Sequence, residues 1–289
     1  MSSVSSWVSL LRPLQWTKNL LVFAALLFAR RYAEPGEAER ALVMFAAFCL
    51  ASSALYAFND SLDRGADRRH PRKRLRPVAS GAITPGGAVA AATALALLAL
   101  LAARSAEPSA RLCLAGYLVL GAAYTLFLKR VVILDVLVVA AGFVLRAAAG
   151  GFAIAVEISP WLLICTMLLA LFLAAAKRRH ELVGTRAGVA HRPVLGDYTP
   201  ALLDQMIATT AACTLMAYVL YTFSEQTVRK FPSHLMPLTS LFVMFGLFRY
   251  LHLIYRREEG GEPEALLIRD APIRWTVLLY VLAVLAAVR

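Results

Sequence analysis

A chain of 289 residues of which 60% are hydrophobic and 17% charged, with a mean hydropathy of +0.66, does not have the composition of a water-soluble globule. That argues against a secreted, disordered or nucleic-acid-binding protein and leaves a polytopic membrane protein. The net charge of +12 then points to cytoplasmic loops or to anionic substrates, and the positions of the basic residues decide between these.

Runs of about 20 mostly apolar residues predict spans at Trp16–Ala29, Ala41–Phe58, Gly86–Ala103, Leu112–Leu128, Val131–Val156, Pro160–Ala176, Ala201–Phe223, Leu235–Tyr255 and Ile273–Val288. The first is the weakest, because Lys18 and Asn19 stand at its mouth, and eight spans are the alternative to nine. Every span is expected to be helical, since open strand edges cannot be satisfied in hydrocarbon and the runs lack the alternation of a barrel. With the amino end inside, 21 Lys and Arg fall on the cytoplasmic side and eight outside, with Arg146 within a span. The expected fold is thus an all-α bundle of about nine transmembrane helices, residues 1–289 forming one helical domain with its N-terminus in the cytoplasm. Its functional loops lie near 59–84, 129–135, 177–199 and 249–274. Ser2–Leu11 has no charged leader region, so no cleavable signal peptide is expected. Cys49, Cys113, Cys165 and Cys213 lie in apolar runs and read as small core residues. Gly86–Gly87 and Gly150–Gly151 are expected where helices approach closely.

The most informative stretch begins at the end of the second span. If that helix continues to Asp67, then Asn59, Asp63 and Asp67 recur every four residues with Asp60 one step aside, placing four oxygen-bearing side chains on one face. Such a face repels itself unless a cation sits on it, and a few carboxylates that leave room for phosphate oxygens suit Mg²⁺. Lys73, Arg74 and Arg76 follow and can hold the remaining phosphate oxygens. The bland alternative is a solvated loop whose acids and bases pair with each other. Asp135 and Arg146 sit at membrane depth eleven residues apart, about three turns, and either line a cavity or form a buried ion pair. Lys18 is either functional or a lysine snorkelling to the interface. Lys177, Arg178 and Arg179 make the loop after the sixth span cationic, which suits phosphate binding. His70, His180, His191, His234 and His252 show no zinc spacing, and no nucleotide-binding glycine fingerprint is present.

The stretch Asn59-Asp60-x-x-Asp63-x-x-x-Asp67 in the loop between the second and third helices resembles the UbiA superfamily of intramembrane prenyltransferases. Its extension from Asp67-Arg68 through His70-Pro71, Lys73-Arg74 and Arg76-Pro77 to Ser80-Gly81 is similar to the decaprenyl-phosphate phosphoribosyltransferase branch. Further stretches agree along the chain: Leu11-Arg12-Pro13 to Lys18-Asn19, Tyr124 to Lys129, Asp135, Gly142 to Arg146, Lys177-Arg178 with Glu181, and Glu262 to Asp270. The resemblance implies transfer of 5-phosphoribose from phosphoribosyl diphosphate to a polyprenyl phosphate, with Mg²⁺ as cofactor. It implies metal ligands at Asn59, Asp60, Asp63 and Asp67, the three aspartates being catalytic. Substrate contacts would come from Lys18, Asn19, Lys73, Arg74, Arg76, Tyr124, Lys129, Asp135, Arg146, Lys177, Arg178 and Glu181. The enzyme would sit in the cell membrane with its site facing the cytoplasm, bind no nucleic acid, and be open to self-association as a homo-oligomer. The ordinary prenyltransferase is the alternative within the superfamily, but its second acidic cluster is missing from the loop after the sixth span. A transporter of anionic metabolites would have no use for the Asn59–Asp67 face.

Overall fold

The computed structural model describes residues 3–71, 73–184, 193–231, 235–257, 261 and 263–288. His191, His234 and Glu262 lie outside the described residues. Among the described residues there is no strand, as expected for a chain that must satisfy its backbone within each segment. The chain forms two compact units, one built on Met1–Ile158 and the other on Ser159–Gly188 with Leu195–Arg289.

The first unit starts with α1 (Ser3–Leu11), followed by a 3₁₀ segment over Pro13–Phe23 that passes into the short α2 (Ala24–Phe28). Then come α3 (Glu37–Leu62), α4 (Arg64–Arg69), α5 (Pro77–Ser80), α6 (Pro85–Ala102), α7 (Pro108–Leu126) and α8 (Leu134–Ala153). Proline at the first turn of α5, α6 and α7 sets a helical φ where no amide donor is needed, and Thr84 caps α6 by accepting from the Gly87 amide. Glu37 and Glu39 favour the positive end of α3. The core gathers Val22, Met44, Phe48, Leu114 and Tyr117 among small residues such as Ala47, Ala51 and Ala149. Small side chains let the backbones approach: a Cβ on Gly150 would stand 2.0 Å from the Val22 carbonyl oxygen. Gly86, by contrast, has nothing within 4 Å, so the first glycine pair does not serve a helix contact.

The second unit contains α9 (Pro160–Val183), α10 (Pro200–Phe223), α11 (Glu225–Lys230), α12 (Ser240–Arg256), α13 (Pro263–Arg269) and α14 (Ala271–Val288). Its core is Phe172, Ile207, Leu247, Tyr250, Leu253 and Ile254.

Among the described residues, seven helices are long and apolar enough to cross a membrane, and Ala271–Ala287 is a shorter apolar helix. The first expected span differs most. Instead of one α-helix it is eleven residues of 3₁₀ helix and five of α, because a chain carrying Lys18 and the buried Asn19 is held by side-chain contacts rather than by a regular apolar face. Of the cysteines only Cys49 is buried; Cys213 lies exposed on α10, since an apolar run in a bilayer protein has a lipid side as well as a core side.

Candidate active site

The acid-bearing end of α3 positions the candidate site. The helix ends at Leu62 and α4 begins at Arg64, yet the backbone hydrogen bonds run on: Asp63 donates to Asn59 at 2.9 Å and Asp67 donates to Asp63 at 2.8 Å. The four-residue spacing therefore survives the break at Asp63. Asp60 is 1% exposed and Asp67 4%, whereas Asp63 is half-buried.

The expectation that this face repels itself without a metal is corrected by what surrounds it. Arg12 donates to Asp60 at 2.5 Å, and Arg76 Nη1 bridges Asp60 Oδ1 at 3.2 Å and Asp67 Oδ2 at 2.7 Å. Lys129 Nζ donates to Asp63 at 2.6 Å and to the Asn59 amide oxygen at 3.3 Å. Three carboxylates thus meet three of the chain's own cations and the row is neutral. Among the described residues no three His, Cys, Asp or Glu side chains gather as a metal-ligand cluster. The donor chemistry nonetheless fits a divalent cation: these are hard oxygens, and Asp60 Oδ2 is buried without a hydrogen-bond partner. A cation held by Asn59, Asp60, Asp63 and Asp67 would displace Arg12, Arg76 and Lys129 from the acids.

Arg12 was not among the expected site residues. Its backbone is left-handed (φ 52°, ψ 60°) although it precedes a proline, a doubly disfavoured conformation, and its guanidinium stacks on Tyr56 at 4.8 Å. Arginine directly before Pro13 in a matching stretch was the available signal. Strain of this kind survives where the surroundings over-determine it. A second such residue, Ile133 (φ 69°), leads into the buried Asp135 at the first turn of α8. Lys73 is half-buried on a 3₁₀ turn and Arg74 is exposed beside it; Arg68 instead bonds the Ala79 carbonyl. Tyr124 is half-buried near the end of α7, six residues before Arg130 closes the turn that carries Lys129.

Arg146 and Asn19 lie deeper. Arg146 donates to Asn19 Oδ1, the Gly142 carbonyl and the Tyr117 hydroxyl, each at 2.7 Å, so its partners are neutral and Asp135 is not its counter-ion. Lys18 donates to Gln15 at 2.5 Å on the half-buried side of the same segment.

In the second unit, the end of α9 carries Lys177, Arg178 and Glu181. Arg178 is buried and donates to Glu181 at 2.8 Å. Arg179 donates to Asp204 at 2.5 Å and stacks on Tyr255, whose hydroxyl shares that carboxylate at 2.9 Å. Asp270 caps α14 through the Ile273 amide at 3.0 Å and receives Arg249 at 2.8 and 3.2 Å. That guanidinium holds the Asp270 carboxyl below the ordinary carboxylate range, outweighing its burial.

An all-helical, multi-pass membrane bundle with acids and cations interleaved at one helix end is the architecture of an intramembrane transferase. The chain belongs to the UbiA prenyltransferase family, whose profile matches residues 20–269. It is 33% identical to the decaprenyl-phosphate phosphoribosyltransferase of Mycolicibacterium smegmatis, over 99% of this chain and 93% of that protein. It is likewise 33% identical to the Mycobacterium tuberculosis protein of the same name, over 99% of this chain and 95% of that protein. The fold matches a UbiA homologue from Archaeoglobus fulgidus, solved bound to GPP and Mg²⁺, with a TM-score of 0.74 at 19% identity, covering 98% of this chain and 99% of that one.

Proposed function

We propose that the protein transfers 5-phosphoribose from phosphoribosyl diphosphate to a polyprenyl phosphate and releases diphosphate. The observation that carries this reading is the neutral row in which Arg12, Arg76 and Lys129 are paired with Asp60, Asp63 and Asp67. Such a row can exchange partners: an anionic diphosphate would draw the cations away, and the acids so released would be free to hold a divalent cation. The names of relatives that align over nearly the whole chain support the choice of donor and acceptor.

The acceptor phosphate is already anionic near neutral pH, so one of its oxygens attacks the anomeric carbon as the bond to the diphosphate oxygen breaks. The leaving group keeps the electron pair and no proton need move. Arg12, Arg76 and Lys129 would turn from carboxylate to phosphate oxygens and stabilise charge that grows on the leaving group. Mg²⁺ bound by Asn59, Asp60, Asp63 and Asp67 would supply further neutralisation of that charge. Lys73 and Arg74 are assigned to the phosphate oxygens of the donor, and Lys18 and Tyr124 to substrate contact. Lys177 and Arg178 are assigned to phosphate groups by residue type, with Glu181 holding the Arg178 guanidinium. Positioning outweighs acid–base chemistry in this scheme.

The excess of Lys and Arg on one side supports nine spans in the cell membrane, with the amino end and the site on the cytoplasmic side. Purified protein with labelled phosphoribosyl diphosphate, a polyprenyl phosphate and Mg²⁺ tests the function. Label is expected in lipid only when all three are present. Transfer from a prenyl diphosphate instead would replace this reading with ordinary prenyl transfer, and vesicle uptake without chemistry with transport.

A further inference from the structure

The 3₁₀ segment Pro13–Phe23 is far longer than the three or four residues such helices usually sustain, so its shape must be imposed by its neighbours. Trp16 donates to Ser53 at 3.0 Å, and Ser53 donates to the Leu11 carbonyl at 2.8 Å. At the centre is Asn19, wholly buried: its amide nitrogen donates to Cys49 Sγ and Ser52 Oγ on α3, each at 3.3 Å, and its oxygen accepts from Arg146 on α8. Arg146 is 5% exposed, all three of its guanidinium nitrogens donate, and the rings of Tyr117, Phe143 and Phe48 lie 4.4, 5.3 and 5.9 Å from its Cζ. Neutral oxygens and aromatic faces disperse a buried charge there. A guanidinium so engaged is poorly placed to receive a phosphate.

We propose that Arg146 is a positioning residue: through Asn19 it fixes the Pro13–Phe23 segment against α3 and α8 and so holds Arg12 and Lys18 in register with the acid row. This departs from the substrate contact that its depth suggested. The segment carries Arg12, bonded to Asp60, at one end and Val22, pressed on Gly150, at the other, so loosening its centre displaces the cations at the mouth. The catalytic consequence rests on the phosphoribosyl-transfer reading; the structural one does not.

Hydrogen exchange on the full-length protein in detergent, run beside the transfer assay, separates the two. Arg146→Met is expected to speed exchange of the Pro13–Phe23 amides roughly tenfold or more, because a charged hydrogen-bond hub is lost, while α6 amides stay unchanged. Its kcat/KM should fall about 100-fold, the scale of a small misplacement. Asn19→Leu should act alike, and the double variant should be no worse than the worse single one, as for two members of one unit. Arg146→Lys should not rescue, since an ammonium cannot make the three-way fork. Unchanged exchange over Pro13–Phe23, or losses that multiply in the double variant, would overturn the proposal. If Arg146→Met does not fold, Tyr117→Phe removes one hydroxyl and keeps the ring, and it must still show the local exchange pattern. A wild-type protein without phosphoribosyl transfer would sink the proposed function and leave the exchange comparison standing.

Discussion

Lys129 Nζ lies 2.6 Å from Asp63 Oδ1 and ties the turn between α7 and α8 to the end of α3 across 66 positions of sequence. Asp63 is the aspartate of the row that can be removed with least harm to the fold, its side chain being 32% exposed. Asp63→Ala is expected to lower turnover by at least about 100-fold while the thermal midpoint in detergent stays near wild type. Lys129→Met should lower kcat/KM for phosphoribosyl diphosphate roughly 10- to 100-fold. Wild-type turnover in Asp63→Ala would contradict the assignment of the row.

Arg12 separates strain from chemistry. Both Arg12→Gly and Arg12→Ala lose the Asp60 contact and should lose activity alike. Glycine accepts φ 52° without a Cβ penalty, so Arg12→Gly should be the more stable by about 1 kcal/mol in equilibrium unfolding. Equal stability would mean that the left-handed turn costs nothing.

Gly150→Ala places a methyl against a backbone oxygen that no rotamer can move. A loss of about 1–3 kcal/mol is expected, together with reduced transfer. Gly86→Ala is the control, with open space around the added carbon and no expected change in activity. A stable, active Gly150→Ala would show that the Pro13–Phe23 segment yields easily.

Asp270 gives a pH signature. Its carboxyl titrates lower folded than unfolded, so the pair with Arg249 contributes stability above the ordinary carboxylate value. That contribution is lost as pH falls through the folded value, below about pH 4. Asp270→Asn should therefore lower the thermal midpoint at pH 7, and the gap to wild type should close under acid. A gap that persists unchanged at the lowest pH would assign the effect to packing.

Seven of the spans and the acid spacing are legible in sequence because each obeys a local period or composition, whereas Lys177–Glu181, expected in a loop, continue the helix Pro160–Val183. Asn59, Asp63 and Asp67 stay in step even through the break that ends α3. What pairs with them is not legible: Arg12 is 48 positions from Asp60 and Lys129 is 66 from Asp63, and only packing brings them together. Depth alone does not name the partners of Arg146: a buried ion pair with Asp135 was one expectation, and the fold supplies neutral oxygens and rings instead. Periodicity likewise cannot foretell a 3₁₀ winding, because tertiary contacts impose it.

That winding changes how far the chain reaches. Sixteen residues, Pro13–Phe28, would extend about 24 Å as a plain α-helix. With eleven of them wound at the steeper 3₁₀ rise they would run to about 30 Å at ideal geometry. Sixteen residues so wound have the ideal length that about twenty would need as a plain α-helix, at the cost of depending on their neighbours for every turn.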